Sequence, residues 1–145
     1  MLRRILPVTG YLMLICTGVQ ASDLRMTGRV QCRMGVQTVD LTFPCPDGSK
    51  LVFRSEDGRR FFFSDKDPRK AIFEDGRVRN ELLRITARQD EEGCLALLLV
   101  HTVKNGRIYL PHYFCQVCNI TAYAPGPCWC CQAEFEFREK ETQEP

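Results

Sequence analysis

Histidine is almost missing from this chain. His101 and His112 are the only two in 145 residues, and Trp129 is the single tryptophan. If Asn105-Gly106 forms a two-residue turn, the histidines become diagonal neighbours on one strand face, and no third ligand is placed beside them. A histidine-rich metal site is therefore excluded. Also absent are G-x-S-x-G, H-E-x-x-H and any glycine loop able to cradle phosphate. Acidic residues sit in turns and in the tail, not in a paired constellation. The expectation is a protein with no catalytic, cofactor-binding or metal-ligating residues, no cofactor, and no enzyme activity. A charge excess is lacking too. The formal net charge is only +2, which argues against nucleic acid or an anionic membrane as partner. Beyond the first 21 residues no apolar run approaches the roughly 20 residues a bilayer requires, and residues 95–100 are only strand-sized.

The start of the chain does hold an apolar run. Arg3 and Arg4 precede an apolar stretch over residues 5–19, and Val19-Gln20-Ala21 supplies small or compact residues where a signal peptidase reads. This is the pattern of a secretory signal peptide over residues 1–21, with cleavage before Ser22. The run is interrupted by Pro7, Thr9 and Gly10 and is too short for a membrane anchor. The 20 basic residues then lose Arg3 and Arg4 and balance the 18 acidic ones. The remainder is one domain, residues 22–137, followed by a polar, Glu-rich tail over 138–145 that is expected to be disordered. The expected location is outside the cell.

Asp47-Gly48, Asp57-Gly58, Asp75-Gly76 and Asn105-Gly106 are tight-turn dipeptides. Strand-like runs lie between them at 36–43, 50–54, 60–63, 70–74, 77–88, 94–103 and 107–110. Short strands with frequent turns predict a mainly β protein, a small disulfide-stabilised antiparallel sandwich or open barrel. In Phe61-Phe62-Phe63 the outer two share a face and Phe62 opposes them. Phe62 and Trp129 are the expected partner-contact residues, since exposed aromatics anchor interfaces.

Cysteine is abundant, and five of the nine fall within residues 114–132. Cys16 leaves with the leader. Cys32, Cys45, Cys94, Cys115, Cys118, Cys128, Cys130 and Cys131 remain, an even number that in a secreted chain predicts a disulfide framework. The cluster reads C-x2-C-x9-C-x-C-C. On an extended backbone Cys128 and Cys130 share a face and Cys131 takes the other. That reading disfavours the paired knuckles of structural zinc and favours covalent staples to different partners. A thioredoxin-like site at Cys115-Gln116-Val117-Cys118 lacks the strand-to-helix setting that activates a thiol. Asn119-Ile120-Thr121 is the one N-x-S/T sequon and makes Asn119 the expected glycan acceptor.

Two resemblances bear on function. Residues 107–132, with Cys128, Trp129, Cys130 and Cys131 as a cysteine-aromatic-cysteine-cysteine signature and Cys118 or Cys115 upstream, are similar to the core of plant maternally-expressed-gene and embryo-surrounding-factor peptides. That resemblance implies a secreted, cysteine-rich, non-enzymatic signal recognised by an extracellular protein or receptor. Tyr113-Phe114-Cys115 resembles the tyrosine corner of an immunoglobulin domain. It implies a Cys45–Cys115 bridge and a receptor ectodomain or decoy. A secreted thiol oxidoreductase or hydrolase is the third expectation.

Overall fold

The computed structural model describes residues 22–35, 37–39 and 45–143. The expected leader, and the expected strand over 36–43 apart from residues 37–39, lie outside the described residues. Among the described residues nine strands follow one another: β1 (Leu24–Met34), β2 (Gln37–Val39), β3 (Lys50–Ser55), β4 (Arg60–Phe62), β5 (Leu82–Gln89), β6 (Leu95–Lys104), β7 (Arg107–Cys115), β8 (Ile120–Ala122) and β9 (Glu136–Thr142). A 3₁₀ turn, Pro68–Glu74, and a short helix α1, Gly76–Arg79, connect β4 to β5. The strands form one open sheet in the order β4-β3-β1-β5-β6-β7-β8, with β2 on β1 and β9 on β7. Every pairing between strands is antiparallel. The expected mainly β, antiparallel architecture is thus the one observed, and it carries a disulfide.

Alternation builds the core. Met26, Val30 and Cys32 of β1, Leu83, Ile85 and Ala87 of β5, and Leu95 and Leu97 of β6 are all buried, because every second side chain of a strand takes the same face. Phe63 joins Phe53 and Phe73 beneath the sheet, with ring centroids 6.5 and 5.2 Å away. Phe62, from the opposite face of the same strand, is exposed. Between Thr86 and Ala87 the register with β6 shifts, so that Thr86 faces Leu99 and Ala87 faces Leu97. The extra residue, Leu98, turns outward together with Leu99.

Three expectations change. Residues 70–74 are not a strand but part of the 3₁₀ turn: Pro68 opens it and the Asp67 side chain accepts from the Arg69 amide. The run 77–88 begins as α1, because Asp75-Gly76 caps a helix; the Asp75 side chain accepts from the Arg77 amide. Asn105 and Gly106, by contrast, take the positive φ values, 50° and 75°, of a hairpin turn. The tail does not fray at residue 138, since β9 pairs with β7 from Phe114↔Glu136 to Ile108↔Thr142. The longest strand, β1, precedes every run expected to be extended.

Cys32 and Cys45 form a disulfide, with Cα atoms 5.5 Å apart. Cys45 therefore does not bridge to Cys115, as the immunoglobulin resemblance implied. Among the described residues no helix is long and apolar enough to cross a membrane.

Candidate metal centre

β7 is the scaffold of the cysteine cluster. Along one edge it pairs with β8, ending at Cys115↔Ile120. The tight turn between these strands is Cys115-Gln116-Val117-Cys118 itself. After β8 the chain crosses Pro125-Gly126-Pro127, and Gly126 takes a φ of 133°. It then makes a second turn, Cys128-Trp129-Cys130-Cys131, and returns as β9, which also pairs with β7. Two turns widely separated in sequence are thereby carried to the same end of one strand.

The second turn is not extended. The Cys128 amide donates to the Ala133 carbonyl at 2.8 Å, and the Gln132 amide returns to the Cys128 carbonyl at 2.8 Å. This closure corrects the face assignment made from the sequence. Cys128 and Cys131, not Cys128 and Cys130, point the same way, and the spacing that matters is C-x2-C. The two turns are equivalent in detail. Asn119 and Gln132, each four residues after the first cysteine of its pair, both lie in the left-handed region at φ 55° and 61°. Backbone amides of Val117 and Cys118 are aimed at the Cys115 sulfur, and those of Cys130 and Cys131 at the Cys128 sulfur.

The sulfurs of Cys115, Cys118, Cys128 and Cys131 all lie within 4.8 Å of one another. Cys115 and Cys128 are buried, Cys118 is half-buried and Cys131 is exposed. None of the four is in a disulfide; the same holds for Cys94 and Cys130. The expected framework therefore reduces, in this structure, to the Cys32–Cys45 bridge. Side chains tie each turn to its surroundings. Gln116 donates to Glu136 at 2.8 Å and Arg138 donates to the same carboxylate at 2.7 Å. The Arg138 guanidinium also lies 4.2 Å from the Phe114 ring centroid, and Trp129 packs edge-on to Phe135 at 5.5 Å.

The electrostatics of the four sulfurs are uneven. The Cys131 amide, assisted by that of Cys130, lowers the Cys128 thiol to about 7. The Cys118 amide acts in the same direction on Cys115, but burial and the neighbouring sulfurs of Cys131 and Cys128 outweigh it and push that thiol up. Cys118 is pushed up by its contacts with the Cys130 and Cys131 sulfurs. Four thiols at this separation cannot all ionise against their mutual repulsion unless a cation sits among them. Four sulfur donors in two C-x2-C turns match the ligand set of structural zinc. The expected absence of metal ligands thus meets a group of four sulfur donors that could hold an ion.

The remaining expected site residues lie apart from this cluster or at its margin. Cys94 is half-buried beyond the Asp90–Gly93 turn, and burial pushes its thiol up. Asn119 is exposed within the first turn. Trp129 is 64% exposed at the tip of the second turn, with Val117 at 76% at the tip of the first. His101 is half-buried, and burial lowers its pKa. Neither histidine joins a metal-ligating cluster among the described residues. The signal the sequence did carry was the repeated C-x2-C-x pattern, masked by the additional thiol of Cys130.

Compared with known protein families, curated proteins and solved structures, the chain matches none.

Proposed function

We propose that this chain is a secreted, non-enzymatic β domain whose C-terminal third is organised by a resident zinc ion on Cys115, Cys118, Cys128 and Cys131, and which acts by binding an extracellular protein. The convergence of the four sulfurs to within 4.8 Å carries the metal assignment. Zinc suits it because a tetrathiolate, tetrahedral site without an open position is a structural site, closed to substrate. Secretion is supported by the leader-like pattern of residues 1–21 and by the Cys32–Cys45 bridge, which persists in oxidising surroundings. Metal ligation would also shield thiolates that such surroundings otherwise oxidise. Partner binding is supported by Phe62 and Trp129, 40% and 64% exposed.

The test is expression in a secretory host followed by elemental analysis, N-terminal sequencing and thiol alkylation. The expected result is a chain beginning at or next to Ser22 with one zinc per molecule. Its clustered thiols should alkylate only after chelation. Clustered cysteines found as disulfides, with no zinc, would restore the staple reading. Release of a thiol-reactive C-x2-C pair that turns over disulfide substrates would favour the oxidoreductase.

A further inference from the structure

Cys115 and Cys131 belong to different turns, 16 positions apart, yet their sulfurs stand 3.5 Å from each other. An S–S bond is about 2 Å long, so about 1.5 Å of side-chain movement joins them. Their surroundings differ. Cys115 is buried and Cys131 is exposed. A solute can therefore reach one sulfur of the pair and not the other. Cys118 and Cys128 complete the group, with every sulfur within 4.8 Å of the rest. The second turn is closed by the Cys128–Ala133 and Cys128–Gln132 backbone hydrogen bonds, which need no sulfur.

We propose that the centre is also a modification site: a small disulfide of the glutathione class oxidises it across the two turns, through Cys131 first and Cys115 second. The proposal rests on the tetrathiolate reading above for its zinc-loaded starting state, while the pairing rests on the sulfur contact itself. The Cys131 thiolate attacks one sulfur of oxidised glutathione. A Cys131–glutathione bond forms, the glutathione S–S bond breaks and one glutathione thiolate leaves. The Cys115 thiolate, in contact with the Cys131 sulfur, then attacks it. A Cys115–Cys131 bond forms and the second glutathione thiolate leaves. The protein has lost two electrons and the glutathione has gained them. Two of the four donors are gone, so the site no longer holds zinc, and Cys118 and Cys128 take up protons from solvent. The new bond ties the first turn to the second as the metal did. The C-terminal third therefore stays closed when zinc is released, and a dithiol reductant reverses both steps.

The experiment treats the mature, zinc-loaded chain with one equivalent of oxidised glutathione beside a chromogenic zinc chelator. Compared are wild type, Cys115→Ser and, as an exposed-thiol control, Cys130→Ser. Circular dichroism reports whether each is folded. In wild type, two thiols should be lost for each zinc released, and a non-reducing peptide map should join Cys115 to Cys131. Cys130→Ser should give the same map. Cys115→Ser should retain glutathione on Cys131, because the sulfur that displaces it is gone. If that variant fails to fold, the wild-type map decides alone. A first bond from Cys115 to Cys118, from Cys128 to Cys131 or to Cys130, or no loss of thiols at all, overturns the proposal while the zinc site stands. If the purified chain carries no zinc, the tetrathiolate reading fails. The same map, made on that chain after reduction and reoxidation with glutathione, then upholds or overturns the pairing by the same criteria.

Discussion

The sulfurs of Cys115 and Cys131 lie 3.5 Å apart, although 16 positions separate them in the chain. The contact exists because β8 and β9 occupy opposite edges of β7, so that the turn entering β8 and the turn preceding β9 meet at its end. Whatever joins these sulfurs closes the C-terminal third of the protein on itself.

Cys128→Ser removes a buried ligand and should abolish stoichiometric zinc binding. Hydrogen exchange is expected to lose protection first in β8 and in residues 126–135, with β1, β3 and β5 protected as before. Equal loss of protection across the whole sheet would contradict a local role for the centre.

The Cys32–Cys45 bridge closes a loop with a sequence separation of 13. Replacing both cysteines by alanine should cost about 3 kcal/mol, the value expected for a loop near 15 residues. Thermal unfolding should register it as a clear drop in Tm, and zinc content should not change.

Gly28→Ala tests the close approach of β1 to β3. A Cβ there would stand 2.1 Å from the Arg54 carbonyl oxygen and 2.7 Å from the Ser55 Cα. Both obstacles are backbone, so the sheet must move. The expected cost is about 1–3 kcal/mol by chemical denaturation.

Asn119 and Gln132 hold positive φ without being glycine. Left-handed backbone costs an L-residue about 1 kcal/mol, and glycine removes that cost. Asn119→Gly and Gln132→Gly should therefore stabilise the zinc-loaded protein or leave it unchanged. Alanine at either position should destabilise it. A destabilising glycine would show that the side chains, not the turns, matter there.

Asp67 and Asp75 predict the acid behaviour. Burial would raise the Asp67 carboxyl, but the Arg69 side chain and the amides of Arg69 and Leu97 outweigh it and hold it below 3.8. Burial likewise opposes the hydrogen bonds of Arg77 and Tyr113 on Asp75, and loses. Because the folded state lowers both values, their stabilisation is full above the ordinary carboxylate range and is lost as pH falls through the lowered ones. Denaturation midpoints of Asp67→Asn and wild type should differ at neutral pH and converge only as pH falls below the ordinary carboxylate range.

Much of the sheet was legible in the chain. Val30 and Cys32, Leu83 and Ile85, and Leu95 and Leu97 alternate at the period a half-buried strand imposes. Asn105-Gly106 can do little but turn. Asp75-Gly76 was misread because the same dipeptide caps a helix or closes a hairpin, and only the packing of Val78 and Phe73 into the core favours the cap. The polar strand β9 carried almost no signal, since its edge pairing with β7 depends on backbone hydrogen bonds rather than on apolar alternation.

Sequence alone determined the chemistry available: nine cysteines, almost no histidine, balanced charge, and turns dense enough to force a β protein. It could not determine which thiols meet. Spacing along the chain is a one-dimensional constraint, compatible with C-x-C-C on an extended backbone and with C-x2-C in a closed turn. The tertiary structure decided between them. The pairing of β8 and β9 with opposite edges of β7 fixed where both turns end, and the left-handed residues Asn119 and Gln132 folded each turn around its sulfurs.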